Sequence, residues 1–240
     1  MFETPTSHHI IRKVVVGFGT LFSNLKLVRT DADGTVTQTI KVPLAYAPKE
    51  KWEVRVDQDP ELTNHVYTTL PRMSFEITGY NYDASRMVNR NNTIKCYTDG
   101  VVTSMYAPVP YNIDISLYAL TKGTEDGLSI VEQILPLFAP EYSLNLVAIP
   151  RMNIKQDIPI ILNGVSVQDD YEGDFATRRL VTHTFTFTVK ANLYGPVKSS
   201  KLITDVSVNL DTETLGVGQN NYHVIGDPDT GIVTGSWTFN

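Results

Sequence analysis

Tyr106-Ala-Pro-Val-Pro-Tyr-Asn-Ile-Asp-Ile-Ser-Leu-Tyr-Ala-Leu-Thr-Lys-Gly-Thr-Glu-Asp-Gly-Leu-Ser-Ile-Val-Glu-Gln-Ile-Leu-Pro-Leu-Phe-Ala-Pro140 carries three structural signals in succession. Tyr111, Ile113, Ile115, Leu117 and Ala119 alternate with Asn112, Asp114, Ser116 and Tyr118, the period of a strand with one buried face. A strand is expected from about Val109 to Leu120. Thr121-Lys-Gly-Thr124 interrupts the alternation. Thr124 offers a hydroxyl to the free amides of a helix start, and Glu125 and Asp126 place negative charge at its positive end. Leu128, Val131, Ile134 and Leu135 then recur at spacings of three and four, an apolar stripe fit to lie on a sheet, until Pro136 breaks the hydrogen-bond ladder. Leu137-Phe-Ala-Pro140 is apolar and turn-forming, and is expected to tuck against the core.

Upstream, Ile10, Ile11, Val14, Val15 and Phe18 fall at helical spacings and predict an N-terminal helix within His8 to Leu21, although Val14-Val-Val-Gly17 would also suit a strand. Leu21 to Arg29 reads as a strand, Thr30-Asp-Ala-Asp-Gly34 as a turn between antiparallel strands, and Val36 to Tyr46 as the returning strand. Lys49 to Arg55 suggests one or two helical turns, and Asp57 to Thr69 a loop or short helix. Met73, Phe75 and Ile77 alternate with Ser74, Glu76 and Thr78 in a strand reaching Tyr82, and Asn81 to Asn92 reads as an exposed loop. Asp99-Gly100 predicts a hairpin joining Thr93–Tyr97 to Val101–Tyr106.

Downstream, Tyr142 to Ile149 and Asp157 to Val167 read as strands, Asp169-Asp-Tyr-Glu-Gly-Asp174 as an acidic loop, and Thr177 to Tyr194 as a long final strand. Val181, Phe185, Phe187 and Val189 share one of its faces; Thr182, Thr184, Thr186 and Thr188 share the other, which would meet water or a partner. From Gly195 the composition turns to Gly, Asp, Asn, Thr and Val, too poor in large apolar groups to build a core of its own. The expected class is α+β, a mostly antiparallel sheet flanked by a few helices, with one domain over 1–195 and a C-terminal extension or arm over 196–240.

The chain of 240 residues is 42% hydrophobic and 19% charged, ordinary for a globular protein. No run of 18 apolar residues offers a membrane-spanning helix, and Met1-Phe-Glu-Thr-Pro-Thr-Ser7 lacks the pattern of a cleaved signal. One cysteine, Cys96, excludes an internal disulfide and fits a reducing compartment. With 20 basic and 26 acidic side chains the formal charge is −6, and no Lys/Arg stripe supports sequence-independent nucleic-acid binding.

The groups that could carry chemistry have simpler readings. His8 and His9 are adjacent and diverge on a helix, while His65, His183 and His223 are scattered, so a metal site is not expected. His183 shares the inward face with Phe185 and reads as a hydrogen-bonded core histidine. Gly17-Phe-Gly19-Thr lacks the third glycine and the lysine of phosphate loops. Asp31-Ala-Asp33-Gly34 lacks the remaining ligands and closing glutamate of a calcium loop, and a hairpin turn explains it. Asp169, Asp170, Glu172 and Asp174 form a solvated acidic loop before they form a cation site. Cys96 has no evident histidine partner, and no serine-centred nucleophile elbow occurs.

Phe22-Ser-Asn-Leu25, Val42-Pro-Leu-Ala-Tyr-Ala-Pro-Lys-Glu50, Leu70-Pro-Arg-Met73, Val131-Glu-Gln-Ile-Leu-Pro136 and Arg178-Arg179 occur in this order across about Gly17 to Pro196. In order and spacing they resemble the tail sheath stabiliser and completion protein, or tail terminator, of contractile-tailed T-even-like bacteriophages. The resemblance implies a sheet flanked by helices, no catalytic residues and no cofactor. It also implies a homohexameric ring that caps the tail tube and the last sheath disc, stops polymerisation and faces the neck. The implied partners are further copies of itself, the tail tube or a tube terminator, the sheath protein, and neck or head-completion proteins. The genome would pass through without specific binding, and the place would be the neck-proximal end of the virion tail after assembly in the host cytoplasm. Residues after Pro196 carry no matching motif.

Ring closure by rotation uses heterologous contacts, one patch meeting a different patch on the neighbour. Candidate interface residues are Arg72, Arg86, Asp169, Asp170, Arg178, Arg179, Thr184, Thr186, Val206 and Val208. Val206-Ser-Val208 and Ile232-Val-Thr234 could add strands to a neighbour's sheet. If six copies line a channel, net negative charge would let DNA slide rather than stick. Two other readings remain open: a ligand- or metal-binding module or enzyme built on Asp169 to Asp174 with Arg178 and Arg179, and another tail tube or neck protein.

Overall fold

A computed structural model describes residues 7–30, 33, 36–49, 70–98, 101–139, 141–170, 180–201, 205–210, 220–226 and 233–239. The expected turns over Lys49–Arg55, the element over Asp57–Thr69, most of the acidic loop, and Arg178 and Arg179 lie wholly or largely outside these residues. The chain divides into two compact units, Met1–Met87 with Pro108–Leu193, and Val88–Ala107 with Tyr194–Asn240.

The first unit is built on a six-stranded sheet of order β3-β4-β7-β10-β9-β8. Its strands are β3 (Leu44–Tyr46), β4 (Arg72–Tyr82), β7 (Val109–Thr121), β8 (Glu141–Ile149), β9 (Ile154–Asp170) and β10 (Leu180–Leu193). All neighbours are antiparallel except β3 and β4. The quoted stretch supplies β7, which pairs on both sides and reaches one residue beyond the expected end. Central placement buries part of its second face too: Ser116 and Leu120 are buried along with Ile113, Ile115, Leu117 and Ala119.

Two helices cover one face of this sheet. In α1 (Ile10–Phe22), Ile10, Val14, Phe18 and Phe22 repeat at every fourth position and are all buried. That repeat overrides the strand preference of Val14-Val-Val. Phe18 lies with its ring centre 4.9 to 5.2 Å from those of Phe22, Phe75 and Phe187. Phe138 closes the cluster 5.2 Å from Phe187. The Lys13 ammonium donates to the carbonyls of Val147 and Ala148, at 2.7 and 3.0 Å, and ties α1 to β8. Gly17 lets the helix approach, since a Cβ there would collide with Leu144.

The second helix, α2 (Thr124–Ile134), differs from expectation in two ways. Gly123 occupies the cap position and Thr124 makes no side-chain cap, because the helix begins one residue earlier than a Thr124 cap requires. The buried stripe is Gly127, Ile130 and Ile134, whereas Leu128 and Leu135 are exposed. A turn of 3₁₀ helix, Leu135–Leu137, follows, with Phe138 buried but Leu137 exposed.

Three further sequence expectations are corrected. The segment Leu21–Leu25 is not strand: α1 runs to Phe22, and β1 covers Lys26–Thr30. Val36–Tyr46 is not one strand. It holds β2 (Val36–Lys41), antiparallel to β1, and β3, which joins the large sheet after Pro43, a residue with no N–H to continue the hairpin. Asp169 and Asp170 end β9 rather than begin a loop.

In the second unit, β5 (Thr93–Thr98) and β6 (Val101–Tyr106) form the hairpin expected about Asp99-Gly100, and β11 (Lys198–Lys201) pairs with β6. A separate antiparallel sheet joins β12 (Asp205–Leu210), β13 (Asn220–Gly226) and β14 (Val233–Phe239). Thus β10 is not the last strand. The backbone registers pair Val206 with Val224, Ser207 with His223 and Val208 with Tyr222, and Tyr222 in turn with Trp237 and His223 with Ser236.

Candidate interaction surfaces

The helix-free face of the six-stranded sheet carries a connected polar belt. Asn81 Nδ2 donates to Asp114 Oδ2 at 2.6 Å, and the Thr188 hydroxyl donates to Asp114 Oδ1 at 3.1 Å. Asn163 Nδ2 donates to Thr188 Oγ1 at 2.8 Å, so one chain of bonds crosses β4, β7, β10 and β9. The Tyr118 hydroxyl donates to Glu76 Oε1 at 3.0 Å, and the Thr186 hydroxyl to the Gly164 carbonyl at 3.2 Å. Such bonds fix side-chain directions while each adds only about 0.5–1.5 kcal/mol. The surface they make is polar and directionally fixed, with the carboxylates of Asp114 and Glu76 on it, and is suited to docking.

The candidate residues distribute as follows. Thr186 is exposed on this face and Thr184 half-buried, paired with Tyr118 and Ser166. Arg72 begins β4 opposite Leu120 and is half-buried. Thr182, expected on the water-facing side, is fully buried, its hydroxyl without a partner among the described residues, because Ala47 and Leu120 with Ala45, Leu70, Tyr118 and Leu180 form a small second core at that end. Arg86 bonds Asp83 Oδ2 and Asn112 Oδ1, each at 2.8 Å, within a loop that includes a 3₁₀ turn at Ala84–Arg86. The Ser85 hydroxyl and the Arg86 guanidinium hold the Asp83 carboxyl well below the usual carboxylate range. Asp169 is exposed, and its backbone pairs with Val181, as that of Asp170 does with Leu180. Val206 is 45% exposed on β12, which also contains Val208.

His183 is buried as expected but not hydrogen-bonded as expected: its Nδ1 has no partner among the described residues. It packs against Gly127, and burial pushes its pKa down. Among the described residues no group of three or more His, Cys, Asp or Glu side chains could hold a metal ion, and no helix is long and apolar enough to cross a membrane.

A solvent-open groove of about 460 Å³ runs between α1 and β3, lined in part by Val16, Thr20, Ser23, Pro43, Leu44 and Phe75. Backbone bonds gather three of the quoted motifs beside it. Val42 N–H donates to the Leu25 carbonyl at 3.0 Å and Met73 N–H to the Pro43 carbonyl at 2.8 Å. Sequence reading missed both this gathering and the role of Asn163. Asn163 bonds Thr188 from a register shift in the β9–β10 pairing, which alternation alone does not signal.

Residues 5–232 match the T4-like virus Myoviridae tail sheath stabiliser family. The chain belongs to that family. A relative, the tail completion protein gp15 of Enterobacteria phage T4, is 30% identical over 200 residues, which span 79% of this chain and 72% of that protein. The resemblance drawn from the five motifs is thereby confirmed. It also extends further than they did, since the match continues past Pro196 through most of the C-terminal residues. As a tail sheath stabiliser the protein is a structural part of the phage tail and not an enzyme.

Proposed function

We propose that six copies of this tail sheath stabiliser close into a ring seated on the end of the tail. The ring caps the tube and the last sheath disc, halts their polymerisation and presents its other side to the neck. One observation carries the reading. The family match, residues 5–232, takes in the six-stranded sheet and the C-terminal strands as far as β13, so most of the chain rather than a borrowed fragment corresponds to a tail sheath stabiliser. The ordered polar face supports it, because its carboxylates Asp114 and Glu76 already accept hydrogen bonds from Asn81, Thr188 and Tyr118 and so keep a fixed direction when a neighbour docks.

The partners in this reading are other copies, the sheath, the tube or its terminator, and the neck or head-completion proteins, met at the neck-proximal end after assembly in the host cytoplasm. Residues 196–240 serve as an arm for contacts between subunits. The formal charge of −6 per copy makes a DNA channel repulsive to phosphates. The test is electron microscopy of tails assembled with and without the protein. Uniform, capped tails that lose their end structure and their sheath when it is omitted support the reading; tails of unchanged length and stability without it refute it.

A further inference from the structure

Exposed strand edges invite pairing with other chains, and proteins blunt them with short strands, charge, proline or bulges. Most edges here are blunted. β3 has three residues; β8 begins with Glu141, and Lys13 takes the carbonyls of Val147 and Ala148 near its end. β5 carries Lys95, β11 carries Lys198 and Lys201, and the β1–β2 hairpin carries Lys26, Arg29 and Lys41. The sheet β12–β14 is different. β14 reads Val-Thr-Gly-Ser-Trp-Thr-Phe with no charge and no proline, and its register with β13 is unbroken from Val233 to Phe239. β12 has only Asp205 at its start, and Val206 to Leu210 is uncharged. Among the described residues no strand pairs with the outer edge of Gly235–Phe239 or of Val206–Leu210.

We propose that this sheet continues into a second copy of the chain, the outer edge of β14 pairing with the outer edge of β12 in the neighbour. This rests on the ring reading and gives it a contact. The two edges belong to one sheet and have nearly equal lengths, seven and six residues. Both strands run antiparallel to β13 and so parallel to each other. A neighbour related by rotation, without a flip, therefore sets its β12 beside β14 in parallel. The contact joins two different edges, so it repeats around a ring and does not stop at a dimer. Row alignment is kept as well. Ser207, His223 and Ser236 form one row and Asn209, Asn221 and Thr238 the next, so the neighbour's Ser207 and Asn209 continue rows that end at Ser236 and Thr238. A strand from an unrelated partner could use one edge, but it would leave the other without a pairing strand among the described residues.

The test uses the full chain with Cys96→Ser, adding one cysteine in β12 (Ser207→Cys or Asn209→Cys) and one in β14 (Ser236→Cys or Thr238→Cys). Paired strands lie roughly 4.8 Å apart, inside the Cα separation of about 4.4–6.8 Å that a disulfide spans. The four combinations cover the aligned register and slips of two residues. Mild oxidation of variants that melt like the parent is expected to give a ladder of covalent species up to six copies. Each single-cysteine variant gives none. A six-copy mass by light scattering with no ladder in any combination overturns this contact and leaves the ring reading standing. Dimers formed by the β14 cysteine alone would place a two-fold contact there and overturn it too. A chain that stays single even when mixed with tail ends overturns both.

Discussion

Gly127 has no side chain because the His183 imidazole occupies the place where one would be. Replacing it with alanine forces either α2 or the histidine to move, and overpacking of this kind is expected to cost about 1–3 kcal/mol, read as a lower midpoint in urea unfolding. His183 itself has a folded-state pKa below its ordinary 6.5, lowered by burial. Below about pH 6.5 the unfolded chain therefore binds a proton that the folded chain refuses, so this group's contribution to stability is lost as pH falls through that value. The unfolding free energy of the wild type is expected to decline from pH 7 to pH 5 more steeply than that of His183→Gln, and parallel slopes would show that the histidine is not the cause. Asp114 plays the opposite part on the other face, where it accepts from Asn81 and Thr188. Asp114→Ala is expected to shift the unfolding midpoint by no more than about 1–2 kcal/mol while weakening attachment to tail ends, measured by co-sedimentation.

At the scale of elements, Phe18 is the keystone of α1 packing, touching Phe22, Phe75 and Phe187 at once. Phe18→Ala is expected to cost about 3–5 kcal/mol in thermal or urea unfolding, against near neutrality for Val16→Ala on the exposed side of the same helix. Both long central strands were legible because alternation over a dozen residues has no other good reading, and α1 was legible from the helical spacings of Ile10, Ile11, Val14, Val15 and Phe18. The failures have physical causes. An apolar stripe drawn through Leu128 and Leu135 misplaced the buried side of α2, because hydrophobicity alone gives no weight to Gly127, the position that permits close approach. The run Val36–Tyr46 concealed a change of sheet that turns on Pro43 and on partners distant in sequence. The C-terminal residues read as core-poor because each strand is short and polar at every second position; the pairing of Val208 with Tyr222 and of Tyr222 with Trp237 in one sheet depends on partners distant in sequence. The polar belt was half legible: Asn112, Asp114 and the threonines announced a face, whereas the crossing bonds depend on register.

At the scale of the whole molecule, the protein is a structural part of the phage tail, as the family to which it belongs shows. Its net charge of −6 argues against a grip on the genome. Mobility-shift assays with duplex DNA are expected to detect no binding at low salt, and retention that fades with added salt would contradict the repulsive channel. Purified protein is expected to reach, at high concentration or on tail ends, a mass six times the 26.8 kDa of one chain. Most decisive is electron microscopy of tails that have incorporated a labelled copy of the protein. One labelled ring at one end of every tail, with sheath and tube ending there, is the predicted result; label spread along the tube or sheath, or tail ends that carry none, would contradict it.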